Sequence, residues 1–181
     1  DGTGAERYRA DVAIEGDRIV EIGPAIQADG GEVLDAGGLV VMPGMIDIHT
    51  HYDAQVFWDA ALTPSCFMGI TSVVMGNCGY SIAPRGEHPE AADMVIGTME
   101  NVEDMDPNTL AAGVPWDSFN GFAEWRRAAA AGGCVLNYTA YVGHTTVRIA
   151  VMGPDAFERA ATDDELAAMV GHVEQSLDAG A

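Results

Sequence analysis

The sequence predicts an α/β chain in which a short antiparallel β unit is followed by parallel βα units. Two observations carry this prediction. Residues 1–43 alternate apolar and polar positions between glycine-rich turns, and after Pro43-Gly44 short β-branched runs alternate with helix-periodic ones. Length adds a bound. The chain has 181 residues, which suits one ordinary domain, or one and a small piece of another. That is short of the roughly 200 residues in which a complete (β/α)₈ barrel closes. The expected division is therefore 1–43 and 44–181.

In chain order, Val12 and Ile14 alternate with polar neighbours, Glu15-Gly16-Asp17 supplies turn chemistry, and Ile19, Val20 and Ile22 make a second strand. Gly23-Pro24 and Gly30-Gly31 punctuate, and 32–34 and 39–42 read as two further short strands. Residues 45–51 and 71–75 are apolar strand candidates. Residues 79–118 are acidic with little periodicity and read as a loop carrying a helical piece. A helix is expected over 119–131, a strand over 134–142 and a helix over 163–178. The last begins with Asp163, Asp164 and Glu165, where carboxylates meet the positive end of the helix dipole, and Gly180 lies beyond its end. Leu166, Met169, Val170, Val173 and Leu177 give it one apolar face.

Composition excludes several classes of partner. Asp plus Glu number 28 against 8 basic residues, all of them Arg, for a formal charge of −20, while 48 % hydrophobic residues suffice for a packed core. Such a chain cannot neutralise many phosphates, so nucleic acid is not an expected partner. No polybasic stretch or apolar run of ~18 residues suits a membrane. Three cysteines, Cys66, Cys78 and Cys134, do not make a disulfide framework, and a cytoplasmic location is expected. The lack of Lys fits a salt-adapted surface or a codon bias equally well.

Chemistry concentrates in two places. In Asp47-Ile48-His49-Thr50-His51-Tyr52-Asp53 the two histidines lie two apart, so on a strand they project to the same side, with Asp47 and Asp53 in the same register. Two imidazoles from one strand end can grip a divalent ion while a carboxylate orients a ring N–H. They can also be hydrogen-bonded surface histidines; the apolar run, the Pro-Gly turn and the flanking acids favour the ion. In Gly76-Asn77-Cys78-Gly79-Tyr80 a cysteine sits just beyond a strand between two glycines, where the backbone bends sharply enough to bring a thiolate to a metal. Alone it reads more readily as an inert buried thiol. Neighbouring parallel strands, however, bring their C-terminal ends together.

The stretches VVMPGMIDIHTHYDAQVFWD (40–59) and LTPSCFMGITSVVMGNCGYSIAP (62–84) resemble the N-terminal part of the N-acyl-D-amino-acid deacylases (D-aminoacylases) of the amidohydrolase superfamily. VEDM at 102–105, GVPWD at 113–117 and YVGHTTVR with VMG after it extend the resemblance over most of the chain. It implies the first part of a metal-dependent hydrolase (β/α)₈ (TIM) barrel, about three βα units over 44–181, preceded over 1–43 by part of a small β-sandwich domain. The expectation is thus of an N-terminal fragment that is itself inactive.

Carried residue by residue, the resemblance makes His49 and His51 ligands of one metal position and Cys78 a ligand of the second, with one or two Zn²⁺ as cofactor. The superfamily's usual bridging group is a carboxylated Lys, and this chain has none. The family's general acid/base Asp and two further His ligands have no counterpart here. The implied reaction is metal-assisted hydrolysis of the amide bond of a small N-acyl-D-amino acid. A hydantoinase- or dihydroorotase-like cyclic amidase and a non-catalytic metal-binding module are the alternatives. The substrate carboxylate calls for an Arg in so acidic a chain; Arg148 and Arg85 are candidates. His144 ends the third predicted strand and is a candidate substrate-binding residue. His88 and His172 read as solvated or packed, Cys66 and Cys134 as buried thiols, and Met94, Met99 and Met105 as acyl-pocket or core residues.

Overall fold

The computed structural model describes residues 2–181, which divide at Pro43–Gly44 into two compact units. In the first, β1 (Asp11–Glu15) and β2 (Arg18–Gly23) pair antiparallel. Gly16 turns the chain between them with a φ of +61°, the left-handed conformation that tight hairpin turns require. Asp11 Oδ2 accepts the Ile26 N–H at 3.1 Å and folds the following segment back on the hairpin. The strands expected at 32–34 and 39–42 are not formed. Val33, Leu34, Leu39, Val40 and Val41 are exposed and carry no ladder partner among the described residues, and an extended segment becomes a strand only by pairing. The described residues of this unit therefore hold one two-stranded sheet and no sandwich.

The second unit is built on a parallel sheet of β3 (Met45–Asp47), β4 (Ile70–Met75) and β5 (Asn137–Ala140), in that order. Parallel neighbours need crossovers. The β3–β4 link is made of two 3₁₀ turns, Gln55–Phe57 and Ser65–Met68. The β4–β5 link carries α1 (Ala91–Glu103), α2 (Pro107–Gly113) and α3 (Phe122–Gly132). After β5 come α4 (His144–Met152), a 3₁₀ turn Gly153–Phe157 and α5 (Asp163–Asp178).

Several boundaries differ from the expectation for local reasons. β3 stops at Asp47 rather than 51, because Thr50 turns both its N–H and its hydroxyl onto the Val74 carbonyl, at 2.9 Å each. The chain beyond Asp47 is thus pinned to β4 at one point instead of laddered. Where 79–118 predicts mostly loop, two helices form. α1 buries Ala91, Val95, Ile96 and Met99, a helical spacing that the acidic surroundings obscure, with Asp93 among them and Glu100 directly after. α2 starts on Asp106, whose Oδ1 accepts the Thr109 N–H at 2.7 Å, with Pro107 in its first turn. The pattern over 144–152 predicts no element, yet α4 forms there despite five β-branched residues, with Thr146, Val147, Ile149 and Met152 buried.

α3 and α5 close their own N-termini with glutamates. Glu124 Oε2 accepts the Asn120 and Gly121 N–H groups, and Thr162 and Glu165 form a reciprocal capping box. The α5 span is as expected, but its apolar stripe is not buried: Leu166, Val170, Val173 and Leu177 stay exposed, while Met169 and Ser176 turn inward. The core instead gathers Trp125, Phe119, Leu62, Met75, Ile82, Met99, Leu110 and Ile149. Phe57 stacks on Phe119, and the Trp125 indole N–H donates to the Asp53 carbonyl at 3.2 Å.

Glu165 ties α5 to the preceding turn. Its carboxylate accepts from the Arg159 guanidinium at 2.7–2.8 Å and from the Thr162 N–H at 2.8 Å, and these donors hold its pKa down at about 2. A lowered folded-state pKa adds stability above the ordinary glutamate range, which is lost as pH falls through about 2. Thermal unfolding at pH 6 and pH 2.5 is expected to show a lower midpoint in acid, and Glu165→Gln should narrow that difference. A variant as acid-sensitive as the parent counts against this capping contribution.

Candidate metal centre

The site forms where the segment after β3 meets the turn after β4. Gly76 leaves β4 with a φ of +73°, and a side chain there would press a Cβ to 2.5 Å from the Tyr141 carbonyl. Next, the Tyr80 N–H donates to the Asn77 carbonyl at 2.9 Å, closing a turn whose central residues, Cys78 (φ 57°) and Gly79 (φ 81°), both have positive φ. That is the pattern of a type I′ turn, and a cysteine held there costs of order 1–3 kcal/mol unless its surroundings impose it.

The surroundings do impose it. Asn77, buried, donates from Nδ2 to the Thr50 carbonyl at 3.1 Å and to the Val74 carbonyl at 2.9 Å. On the far side the Gly79 carbonyl accepts the Thr145 N–H at 3.0 Å, and Ser81 bonds both Gly143 and Thr146. The turn is thereby fastened to the His49–His51 segment on one flank and to the start of α4 on the other.

His49, His51 and Cys78 come together as the sequence spacing expected, with one donor atom from each within 4.8 Å of the others. His49 Nε2 lies 3.2 Å from Cys78 Sγ, and the two imidazole centroids are 5.6 Å apart. A tetrahedral ion with zinc-like bond lengths spaces N and S donors roughly 3.4–3.6 Å apart, so the cluster is of the right size. His51 supplies a second test. Its Nε2 pairs with Glu103 Oε1 at 3.2 Å, while its Nδ1 is buried with no hydrogen-bond partner among the described residues. Burial pushes the His51 pKa down, the neighbouring His49 adds to the effect, and Glu103 opposes it. A neutral imidazole is the form that binds a metal. Two imidazoles and a thiol form the borderline-soft donor set that suits zinc.

The carboxylate beside a histidine ring is not one the sequence singles out. Asp47 Oδ1 accepts the His49 N–H at 3.2 Å, and Asp53 turns inward, 2 % exposed, where Oδ2 accepts the Ile82 N–H at 2.9 Å. Burial pushes the Asp53 pKa up to about 6 against the lowering effect of nearby amides. Glu103 takes the ring-holding place instead, from the last residue of α1, just before Asp104 turns the chain at a φ of 54°. Sequence reading misses Glu103 because its position depends on where α1 ends. The only signal was its place in the VEDM motif.

The remaining candidates fall as follows. His144 is exposed at the first turn of α4, close against Gly79. Arg148 donates to the Ala156 carbonyl at 2.7 and 3.2 Å and to the Arg159 carbonyl at 3.0 Å, so the structure commits it to the 3₁₀ turn after α4. Arg85 donates to the Trp116 and Phe119 carbonyls at 3.1 Å each. Met99 is in the core, and Met94 lines an open groove with Tyr80, Val102 and Phe157. Cys66 and Cys134 are free and half-buried. Among the described residues no helix is long and apolar enough to cross a membrane.

Comparison with known proteins bears on this geometry. The sequence profile of the amidohydrolase family matches residues 32–180. The chain is 40 % identical to the N-acyl-D-aspartate deacylase of Alcaligenes xylosoxydans xylosoxydans, over all of this chain and 33 % of that protein. It superposes on a D-aminoacylase structure, described for its binuclear metal centre, with a TM-score of 0.76 and 34 % identity, covering 100 % of this chain and 35 % of the other. The N-acyl-D-glutamate deacylase of Bordetella bronchiseptica, solved with zinc and a phosphonate mimic of the tetrahedral intermediate, gives 0.74 and 32 %, covering 98 % and 34 %. The chain thus spans about a third of the length of these relatives.

The Gly76 backbone is the most exacting position in the turn. Gly76→Ala should lower unfolding free energy by about 1–3 kcal/mol. Denaturant titration checks this, with a fall in midpoint at unchanged slope expected and an unaltered midpoint contradicting the close approach.

Proposed function

We propose, since this chain belongs to the amidohydrolase family, that the complete protein hydrolyses the amide bond of N-acyl-D-amino acids at a zinc centre to which this stretch contributes His49, His51 and Cys78. One observation carries the proposal: the convergence of those three donor atoms within 4.8 Å at the C-terminal ends of neighbouring parallel strands. The likeness to deacylases along the whole chain supports the substrate class and favours a linear amide over a cyclic one.

When bound, a divalent ion there supplies Lewis-acid polarisation of the acyl carbonyl and a water acidified to near-neutral pKa. The protein's own part is to present donors in the correct protonation state. His51 is kept neutral by burial, with Glu103 fixing its ring through Nε2. His49 Nε2 and Cys78 Sγ lie 3.2 Å apart, close enough for both to serve one ion. His144 is proposed as a substrate-binding residue on the strength of its exposure beside the Cys78–Gly79 turn. The resemblance gives this stretch no counterpart of the general acid/base Asp or of the two further His ligands, so this stretch expressed alone is expected to show no turnover.

In the complete protein, Cys78→Ala should abolish stoichiometric zinc and reduce kcat/KM on an N-acetyl-D-amino acid by at least about a hundredfold. Metal analysis alongside initial rates decides it: full zinc occupancy in the variant removes Cys78 from the ligand set. Wild-type protein that opens a dihydropyrimidine ring but ignores N-acyl-D-amino acids replaces the proposed activity with that of a cyclic amidase. Glu103→Gln is a milder case. It should weaken zinc binding about 10–100-fold, read by chelator competition, and equal affinity would deny Glu103 its orienting role.

A further inference from the structure

We propose that Asp53 is the positioning residue of this centre, holding the Cys78 turn at the distance from His49 and His51 that lets all three donors reach one ion. The proposal rests on the metal-centre reading above and goes beyond it, since Asp53 is not one of the three converging donors.

The argument starts from where Asp53 is attached. It follows His51 by two residues, so any displacement of Asp53 is felt in the histidine segment. Its side chain leaves that segment and enters the core, 2 % exposed, where Oδ2 accepts the Ile82 N–H at 2.9 Å. Ile82 is itself wholly buried and stands four residues after Cys78. Behind Asp53, its main-chain carbonyl is held by the Trp125 indole N–H at 3.2 Å. One residue thus joins the histidine segment, the exit of the cysteine turn and the core tryptophan.

A second bond already joins the same segments at the entry to the turn, from Asn77 Nδ2 to the Thr50 carbonyl at 3.1 Å. Entry and exit are therefore both tethered to the histidine segment, and Cys78 sits between the tethers at a φ of 57°. A cysteine in the left-handed region relaxes if either tether is released, because only the surroundings keep it there. The chemistry of Asp53 is also unlike that of a filler. Its Oδ1 is buried without a hydrogen-bond partner among the described residues, an arrangement that core packing alone does not favour. A bond made only to hold a loop would leave metal binding untouched when removed. A bond that sets the Sγ position would not.

The test uses the complete protein loaded with Co²⁺, whose sulfur-to-cobalt charge-transfer absorption reports the Cys78–metal bond. Asp53→Ala is expected to weaken cobalt affinity about 10–100-fold, as loss of a supporting group does, and to diminish that band. Asp53→Asn keeps an oxygen able to accept the Ile82 N–H and should restore both. Should Asp53→Ala fail to fold, hydrogen exchange of the wild type serves: cobalt should slow exchange at the Ile82 amide, and equal exchange with and without metal overturns the proposal. A band and affinity that survive in a folded Asp53→Ala also overturn it, as does equal loss in Asp53→Ala and Asp53→Asn. Wild-type protein without the band overturns the metal centre itself and this proposal with it. A wild-type band that persists in Asp53→Ala removes the proposal alone.

Discussion

The second unit depends on how the chain after β3 is fastened to the turn after β4. Thr50 and Asn77 make that fastening, sharing the Val74 carbonyl between them while Asn77 also reaches the Thr50 carbonyl. Each bond is individually worth about 1 kcal/mol in net terms. Their importance is geometric, because β3 has only three laddered residues and cannot by itself hold the histidine segment in register. With the segment pinned, His49 and His51 face Cys78. Without it, the two histidines would lie on a free edge and three donors would not converge.

From this fastening the rest of the site follows in layers. The sheet sets the coarse spacing by parallel pairing of β3 with β4. The glycines at 76 and 79 permit a reversal tight enough to bring Cys78 back over the strand ends. α4 closes the other flank through Thr145, Thr146 and Gly143. Only then does α1, arriving from a crossover, deliver Glu103 to the His51 ring. Local sequence thus builds the donors, and distant sequence tunes them.

That division explains what the sequence made legible. The convergence of His49, His51 and Cys78 could be read from their place just beyond neighbouring parallel strands and from a glycine-flanked turn, although the histidines lie past the laddered residues of β3. The roles of Glu103 and Asn77 could not be, since Glu103 meets His51 and Asn77 meets Thr50 across dozens of residues, and the motifs they sit in do not name those partners. The helix α5 announced both its ends by capping chemistry, but its stripe of leucine and valine promised burial that the described residues do not provide. The reverse happened in α1. Its start lacks a side-chain cap, and Asp93, Glu100 and Glu103 along the helix hide a buried face. Residues 32–42 failed for a different reason: apolar alternation marks a candidate strand, but pairing makes one.

The exposed apolar positions of α5, together with Met45, Ile46 and Ile48 along the edge of the sheet, have a colloidal consequence. Faces of this kind invite self-association, and a net charge of −20 opposes it by mutual repulsion. The repulsion acts over the Debye length, which contracts from about 30 Å at 0.01 M salt to about 3 Å at 1 M. In this stretch of chain the carboxylates therefore act as a dispersant, strongest in dilute buffer and progressively silenced by salt.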